Sequence, residues 1–203
     1  MGRIKSALEI ALEKTETVKS DKTSINQFEA KQNGKRLANE FLGEGKKSLE
    51  EEIKKYPKNE QAGFRQGIFD VLITQLKVPD TEGDLSRVET AAKGIQAILN
   101  ESRFNSMVKQ LSQVLRQYMN EAGQYEEAIK RQYAPKLRQK EEELSRRLGR
   151  QIQLDPFQDP EFVSLYNQNI SILKENYQAA VDQVRETAAG YFEKLTLKEV
   201  KLN

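Results

Sequence analysis

Apolar positions recur at helical spacing almost everywhere, and no run of alternating β-branched residues lies between turn signals. The pattern predicts an all-α protein without a sheet. Ile4, Ala7, Leu8, Ala11, Leu12 and Val18 form one stripe, with Glu9, Glu13, Lys14 and Glu16 outside it. That is an amphipathic helix over about Arg3–Lys19. A second helical region covers residues 23–56, carrying Ile25, Phe28, Leu37, Phe41, Leu49 and Ile53. Gly43 and Gly45 should break or bend it, since two glycines cost about 2 kcal/mol in a helix interior relative to alanine, and Pro57 ends it. The third helix, about Asn59–Val78, is the most hydrophobic, with Phe64, Ile68, Phe69, Val71, Leu72, Ile73 and Leu76. Its apolar arc is too wide for one partner, so it is expected to be the most buried element of the first half. Gly63 and Gly67, one turn apart, would admit a neighbouring helix at close range.

Pro79 to Asp84 reads as a linker, with Thr81 and Asp84 spaced as a helix cap. Beyond it Leu85, Val88, Ala92, Ile95 and Leu99 alternate steps of three and four. Phe104, Val108, Leu111, Leu115, Tyr118, Ala122, Tyr125 and Ile129 then form a strict heptad seam. The step of five between Leu99 and Phe104 marks either a register shift or a turn near Ser102. Past Ile129 the seam runs through Tyr133, Leu137, Leu144 and Leu148, with two successive steps of four. Pro135 disfavours helix at Ala134, which predicts a kink at residues 133–137 rather than a chain break. Leu154 to Pro160 is a second loop, and Asp159-Pro160-Glu161 reads as a cap followed by proline in the first turn. The last helix carries Phe162, Tyr166, Leu173, Tyr177, Ala180, Val184, Ala188, Tyr191 and Leu195. Two heptad helices joined by so short a loop predict a long antiparallel, coiled-coil-like hairpin, whose 35-residue arm would reach about 50 Å. The expected architecture is an elongated helical bundle. Residues 1–79 form an N-terminal helical segment and residues 84–203 the hairpin, as two units or one continuous domain.

Composition narrows the chemistry sharply. The 203 residues include no His, no Cys and no Trp. That removes disulfides, thiolate nucleophiles, cysteine or histidine metal sites and the Ser-His-Asp triad, leaving carboxylates, Lys, Tyr and hydroxyls. Thirty-three Lys and Arg against 31 Asp and Glu give a net charge of +2, which implies no polyanionic partner by itself. The distribution is less even. Lys130, Arg131, Lys136, Arg138, Lys140, Arg146, Arg147 and Arg150 are opposed within their stretch only by Glu141, Glu142 and Glu143. No apolar run approaches the ~20 residues that span a bilayer, and acidic Glu9 and Glu13 stand where a secretion signal would need apolar residues. A cytoplasmic location is the expectation. Met1-Gly2 with Ser6 fits an acylation pattern short enough to arise by chance. Two Asn-x-Ser sequons, at Asn100 and Asn169, carry no weight without secretion.

Each remaining candidate has a plain structural alternative. Gly43 to Ser48 resembles a phosphate loop superficially, but Lys47 replaces the required hydroxyl, Glu40 the first glycine, and no strand precedes it. Glu50–Glu52 and Glu141–Glu143 lie on consecutive residues that mostly face solvent, without the histidines a di-metal bundle needs. Tyr118, Tyr125 and Tyr133, with Tyr166, Tyr177 and Tyr191 opposite, suit a hairpin core. Only Tyr133, beside Lys130 and Arg131, is a fair base-stacking candidate. These considerations point to a non-enzymatic helical interaction protein without cofactor: an adaptor, scaffold or stalk-like assembly component. Its partner would be another protein or a second copy of itself, in a homo-oligomer. The second reading is a nucleic-acid-binding module using Lys130, Arg131, Lys136, Arg138, Arg146, Arg147 and Arg150 near the hairpin tip. The third is membrane-surface association through the Arg3–Lys19 helix, disfavoured because its polar face mixes acids with bases.

Overall fold

The structure is a computed structural model that describes the backbone of residues 7–44 and 48–202 and the side chains of residues 24–43 and 48–198. The described residues form six helices: α1 (Ala7–Glu44), α2 (Leu49–Lys55), α3 (Gln61–Gln75), α4 (Glu82–Leu99), α5 (Ser102–Leu148) and α6 (Pro160–Leu202). A single 3-10 turn, Pro156–Gln158, precedes α6. Among the described residues there is no strand, so the all-α expectation holds.

The first correction concerns α1. Two helices, over residues 3–19 and 23–56, were expected; one helix runs through from Ala7 to Glu44. Ser20, Asp21 and Lys22 between them include neither Gly nor Pro, and their propensity cost of about 0.7 kcal/mol or less per residue cannot stop a helix. α1 stops at Glu44, just past Gly43, and α2 starts behind Ser48, whose hydroxyl accepts the Glu51 N–H. The side chains of the Ile4–Val18 stripe, the residues of the acylation pattern and Gly45–Lys47 lie outside the described residues.

α1 and α3 touch backbone to backbone. A Cβ placed on Gly67 would collide with the Lys31 carbonyl, and one on Gly34 with the Phe64 carbonyl. Gly63 donates its N–H to Gln27 Oε1 at 2.9 Å, and Lys31 pairs with Asp70 at 2.8 Å. Only glycine permits such an approach without displacing one helix. α3 then spends the rest of its apolar arc on other helices. Phe64 stacks on Tyr56 with ring centroids 4.0 Å apart, and Phe69 on Phe192 of α6 at 4.1 Å. Ile68 and Leu72, with Leu76 and Val78 just beyond the helix, are completely buried.

Thr81 caps α4 as expected, accepting the Asp84 N–H at 3.1 Å and donating its hydroxyl to the Asp84 carboxylate. The step of five resolves as a turn: Asn100 takes the left-handed conformation (φ 49°) and ends α4, a conformation that Asn tolerates better than most residues. α5 starts two residues later. Arg116 of α5 grips Glu89 of α4 through two nitrogens, at 3.0 and 3.1 Å.

α5 runs unbroken through Pro135, although a proline there denies the Arg131 carbonyl its helical donor. Phe104, Val108, Leu111, Leu115, Tyr118, Ile129 and Tyr133 are buried, while Tyr125, expected in the seam, is 46% exposed. The physical reason is drift. A 3.5-residue repeat slips about 20° per heptad on a straight 3.6-residue helix. After three heptads the Phe104, Leu111, Tyr118 and Tyr125 set has slipped about 60°, which carries Tyr125 to the edge, while Ile129, in the alternate set of the seam, stays buried. Ring pairs join α5 to α6: Phe104 with Tyr191 at 6.5 Å, Tyr118 with Tyr177 at 5.3 Å, and Tyr133 with Phe162 at 5.5 Å. The α6 number falls as the α5 number rises, by nearly equal steps.

Two hydrophobic clusters result. The larger joins α1 to α4 with the first part of α5 and the last part of α6. The smaller consists of Ile129, Tyr133 and Phe162, with Leu137, Leu165 and Tyr166 against them.

Candidate functional site

The basic stretch of the sequence occupies the far end of α5. α5 continues past the start of α6: Tyr133 already meets Phe162, yet α5 reaches Leu148. The chain returns along the last turns of α5 as an extended segment. The Ile152 N–H bonds Ser145 Oγ at 2.9 Å, and the Leu154 N–H bonds Glu141 Oε1 at 2.8 Å. Asp155 then caps the 3-10 turn by accepting the Phe157 N–H. Phe157 lies edge-on to Phe162 and Tyr166, with Lys130 Nζ 5.5 Å from its ring centre.

Asp159 closes the return. One oxygen accepts the Glu161 N–H at 3.0 Å, so the carboxylate caps α6. The other accepts from Lys140 Nζ at 2.7 Å and from the Tyr133 hydroxyl at 3.0 Å. Lys140 also reaches Glu161 at 2.7 Å, and Lys136 reaches the same carboxylate at 2.9 Å. Asp159 is the one buried charged residue among those described. The hydrogen bond and charge of Lys140 hold the Asp159 carboxyl below its ordinary value, and Lys140 and Lys136 pull Glu161 down to about 2. Its bonds to Asp159 and Glu161 hold Lys140 well above the usual lysine value, while burial pushes the Tyr133 phenol up. Each group is thereby fixed in its ordinary charge state near neutral pH. A proton-transfer catalyst needs a group poised near the working pH, which this cluster lacks; its chemistry is that of a structural lock.

The candidate polyanion contacts are therefore not one equivalent set. Lys130 pairs with Glu126 at 2.6 Å and with Glu127 at 3.5 Å, and Lys136 with Glu161. Arg146 approaches Glu142 only to 3.8 Å with both side chains well exposed, a contact worth little. Arg131, Arg138, Arg147 and Arg150 are exposed. Tyr133 is not a stacking platform, because it is buried and its hydroxyl is engaged. Sequence reasoning missed Asp159, Glu161 and Lys140 as one unit. The Asp-Pro-Glu cap signal was visible, but its pairing with Lys140 depends on how far α5 overshoots.

The tip itself is basic and apolar. Residues 144–154 contain Arg146, Arg147 and Arg150 and no acid. Leu148 is 57% exposed, with Leu144, Ile152 and Leu154 half-buried behind it. A concavity between α1, α2 and α3 is lined by Asn33, Arg36, Tyr56 and Phe64 among others. Its polar groups are occupied: Asn33 donates to the Tyr56 hydroxyl at 2.9 Å and accepts from Arg36 at 3.2 Å. Among the described residues no group of acidic side chains is arranged to hold a metal ion, and no helix is long and apolar enough to cross a membrane. No curated protein and no solved structure matches the chain. Residues 50–189, from α2 into α6, match the model of a family of unknown function, DUF6657, and the chain belongs to that family.

Proposed function

We propose that this is a non-enzymatic helical interaction protein in which α5 and α6 form an antiparallel, coiled-coil-like hairpin arm on a helical base. The observation that carries this reading is the ring register: three aromatic pairs spaced along α5 find partners in reverse order along α6. An arm with that register displays its far end. That end carries exposed Leu148 and three arginines, a combination suited to a protein partner's acidic and apolar surface. An accessible surface of 13991 Å², against about 9,700 Å² from mass scaling for a compact monomer of this size, also supports an extended shape. An adaptor, scaffold or stalk-like role follows from such a shape, in a cytoplasmic setting. The nucleic-acid reading is less well supported, because Lys130, Lys136 and Lys140 are already neutralised by carboxylates.

The test is a photo-cross-linking residue placed at Arg147 or Leu148 in the native cell, with one at Lys58 as control. A protein adduct specific to the tip supports the reading. A tip adduct removed by nuclease overturns it in favour of the polyanion. That outcome would be checked by Arg146→Glu, Arg147→Glu and Arg150→Glu together, and by a salt slope of about 0.7–0.9 log units per neutralised phosphate.

A further inference from the structure

The tip is basic and apolar, and the side of the α5–α6 pair turned away from the base carries acids. Contacts mark the half of each helix that faces the base: Arg116 to Glu89 on α5 and Lys174 to Asp80 on α6. At about 100° per residue, Glu121, Glu175 and Glu186 fall on the opposite half. Between residues 107 and 130 of α5 and residues 165 and 188 of α6, that half holds no Lys or Arg. Lys109, Arg116, Lys130, Lys174 and Arg185 all lie on the other half. Arg103 and Lys194 share the acidic half but stand about 27–28 Å along the helices from Glu121 and Glu175. Toward the tip, Lys136 is held by Glu161.

Two of these acids sit beside exposed apolar side chains. The Tyr118–Tyr177 ring pair sets Glu121 level with Lys174, and so beside Glu175. Within about 6 Å along the axes lie Tyr125 and Ile172, 46% and 57% exposed. Glu121 accepts from Gln117 Nε2 at 2.9 Å and from the Tyr177 hydroxyl, bonds that hold its carboxyl below the ordinary value. Glu175 is exposed, and the neighbouring Lys174 is committed to Asp80 at 2.7 Å. The tip presents the matching set: Arg146, Arg147 and Arg150 around Leu148, itself 57% exposed, with no acid in residues 144–154. Glu142 approaches Arg146 to 3.8 Å with both side chains well exposed, a pair weak enough to be exchanged for another. The tip cannot reach the patch of its own chain. α5 is unbroken, which puts Arg147 about 39 Å along the helix from Glu121.

We infer that the tip of one copy docks on the Glu121–Glu175 patch of a second copy, with Leu148 against Tyr125 and Ile172 and the arginines on the glutamates. The inference rests on the reading of the tip as a protein-binding end and names its partner. Charge complementarity selects that partner. The tip fits an acidic and apolar surface, and every copy of the chain presents one. An acidic patch would repel its own kind across a two-fold axis, so the contact must be heterologous, tip to side. Each joined pair then keeps one tip and one patch free, and further copies can add, as a stalk-like component requires. Burial of Leu148, Tyr125 and Ile172 supplies attraction. The ion pairs fix the register and make the contact weaken with salt.

The full-length chain would be examined by sedimentation equilibrium from about 1 to 500 μM in about 50 mM salt. Wild type should grow beyond the 23.3 kDa chain mass as concentration rises, and about 500 mM salt should reverse that growth. The tip variant, Arg146→Glu with Arg147→Glu and Arg150→Glu, should weaken association about 100-fold or more. The patch variant, Glu121→Lys with Glu175→Lys, should do the same, both with unchanged helicity. Glu175→Lys alone, at an exposed site, should weaken it about tenfold. Lys54→Glu with Lys58→Glu reverses charge on the base and should leave it unchanged. Mixing the tip and patch variants should restore association, because the intact tip of one meets the intact patch of the other. A monomer at every concentration, association that survives either variant, or a mixture that stays monomeric overturns the inference. The tip cross-linking test decides the parent reading separately: an adduct to a different protein keeps that reading and removes the second copy as its partner.

Discussion

The base of the molecule and the far end of its α5–α6 pair are held together by different physics. In the base, Gly34, Gly63 and Gly67 bring α1 and α3 to backbone contact, and Ile68, Leu72, Leu76 and Val78 are sealed among several helices. The far end has three buried apolar side chains, Ile129, Tyr133 and Phe162, and relies on polar closure: Lys140 between Asp159 and Glu161, and loop N–H groups on Ser145 and Glu141. Apolar burial is worth about 25 cal/mol per Å² whatever the geometry, so it accumulates where many helices converge. Two helices alone expose most of their surface and need directed bonds to fix where the chain turns back.

Core substitutions test that contrast most severely. Leu111→Ala and Leu115→Ala, both in the larger cluster, should each cost about 2–5 kcal/mol, read from urea midpoints; an unchanged double mutant would place the core elsewhere. Phe162→Ala removes the centre of the small cluster, a change of about 3–5 kcal/mol for a buried aromatic. It should act locally: amide exchange should accelerate over residues 125–170 while residues 61–75 keep their protection. Equal loss in both regions would show that base and far end unfold as one unit. Gly67→Ala should cost about 1–3 kcal/mol through overpacking against Lys31, despite alanine's better helix propensity.

Lys140→Met leaves Asp159 buried without its cation, a penalty of about 1–3 kcal/mol, visible as faster exchange at Ile152 and Leu154. The same lock sets a pH dependence. Asp159 and Glu161 have folded-state values below those of the unfolded chain, so their contribution is complete above about pH 4.5. It is lost as pH falls, for Glu161 through about 2. Acid titration should therefore loosen the far end before the base, and a simultaneous transition would contradict the contrast. Smallest of all, Tyr125→Ala should stay within about 0.5 kcal/mol, as for an exposed residue.

Helix type and most buried positions were legible because they depend on local spacing. Leu85, Val88, Ala92, Ile95 and Leu99 fall on one face of any helix, and all five are buried. Thr81 and Asp159 were legible as caps because capping is a contact within three residues. The helix-packing role of Gly63 and Gly67 was legible too, whereas nothing in the local pattern marks Gly34, their counterpart on α1. The single α1 was misjudged for want of a breaker, and Tyr125 because a strict heptad count ignores the slippage of a straight helix.

The amino-acid sequence by itself determined an all-helical chain, its turns at Pro57, Pro79–Asp84 and Leu154–Pro160, and the absence of thiol and imidazole chemistry. Local spacing already pairs Lys130 with Glu126 and Glu127 on its own helix. Tertiary structure alone set Lys136 and Lys140 apart from Arg131, Arg138 and Arg147: they look equivalent along the chain, but α5 overshoots α6 and the return segment brings Asp159 and Glu161 onto the two lysines. Charge density is a property of composition, whereas pairing across helices depends on distances between elements that no local periodicity encodes.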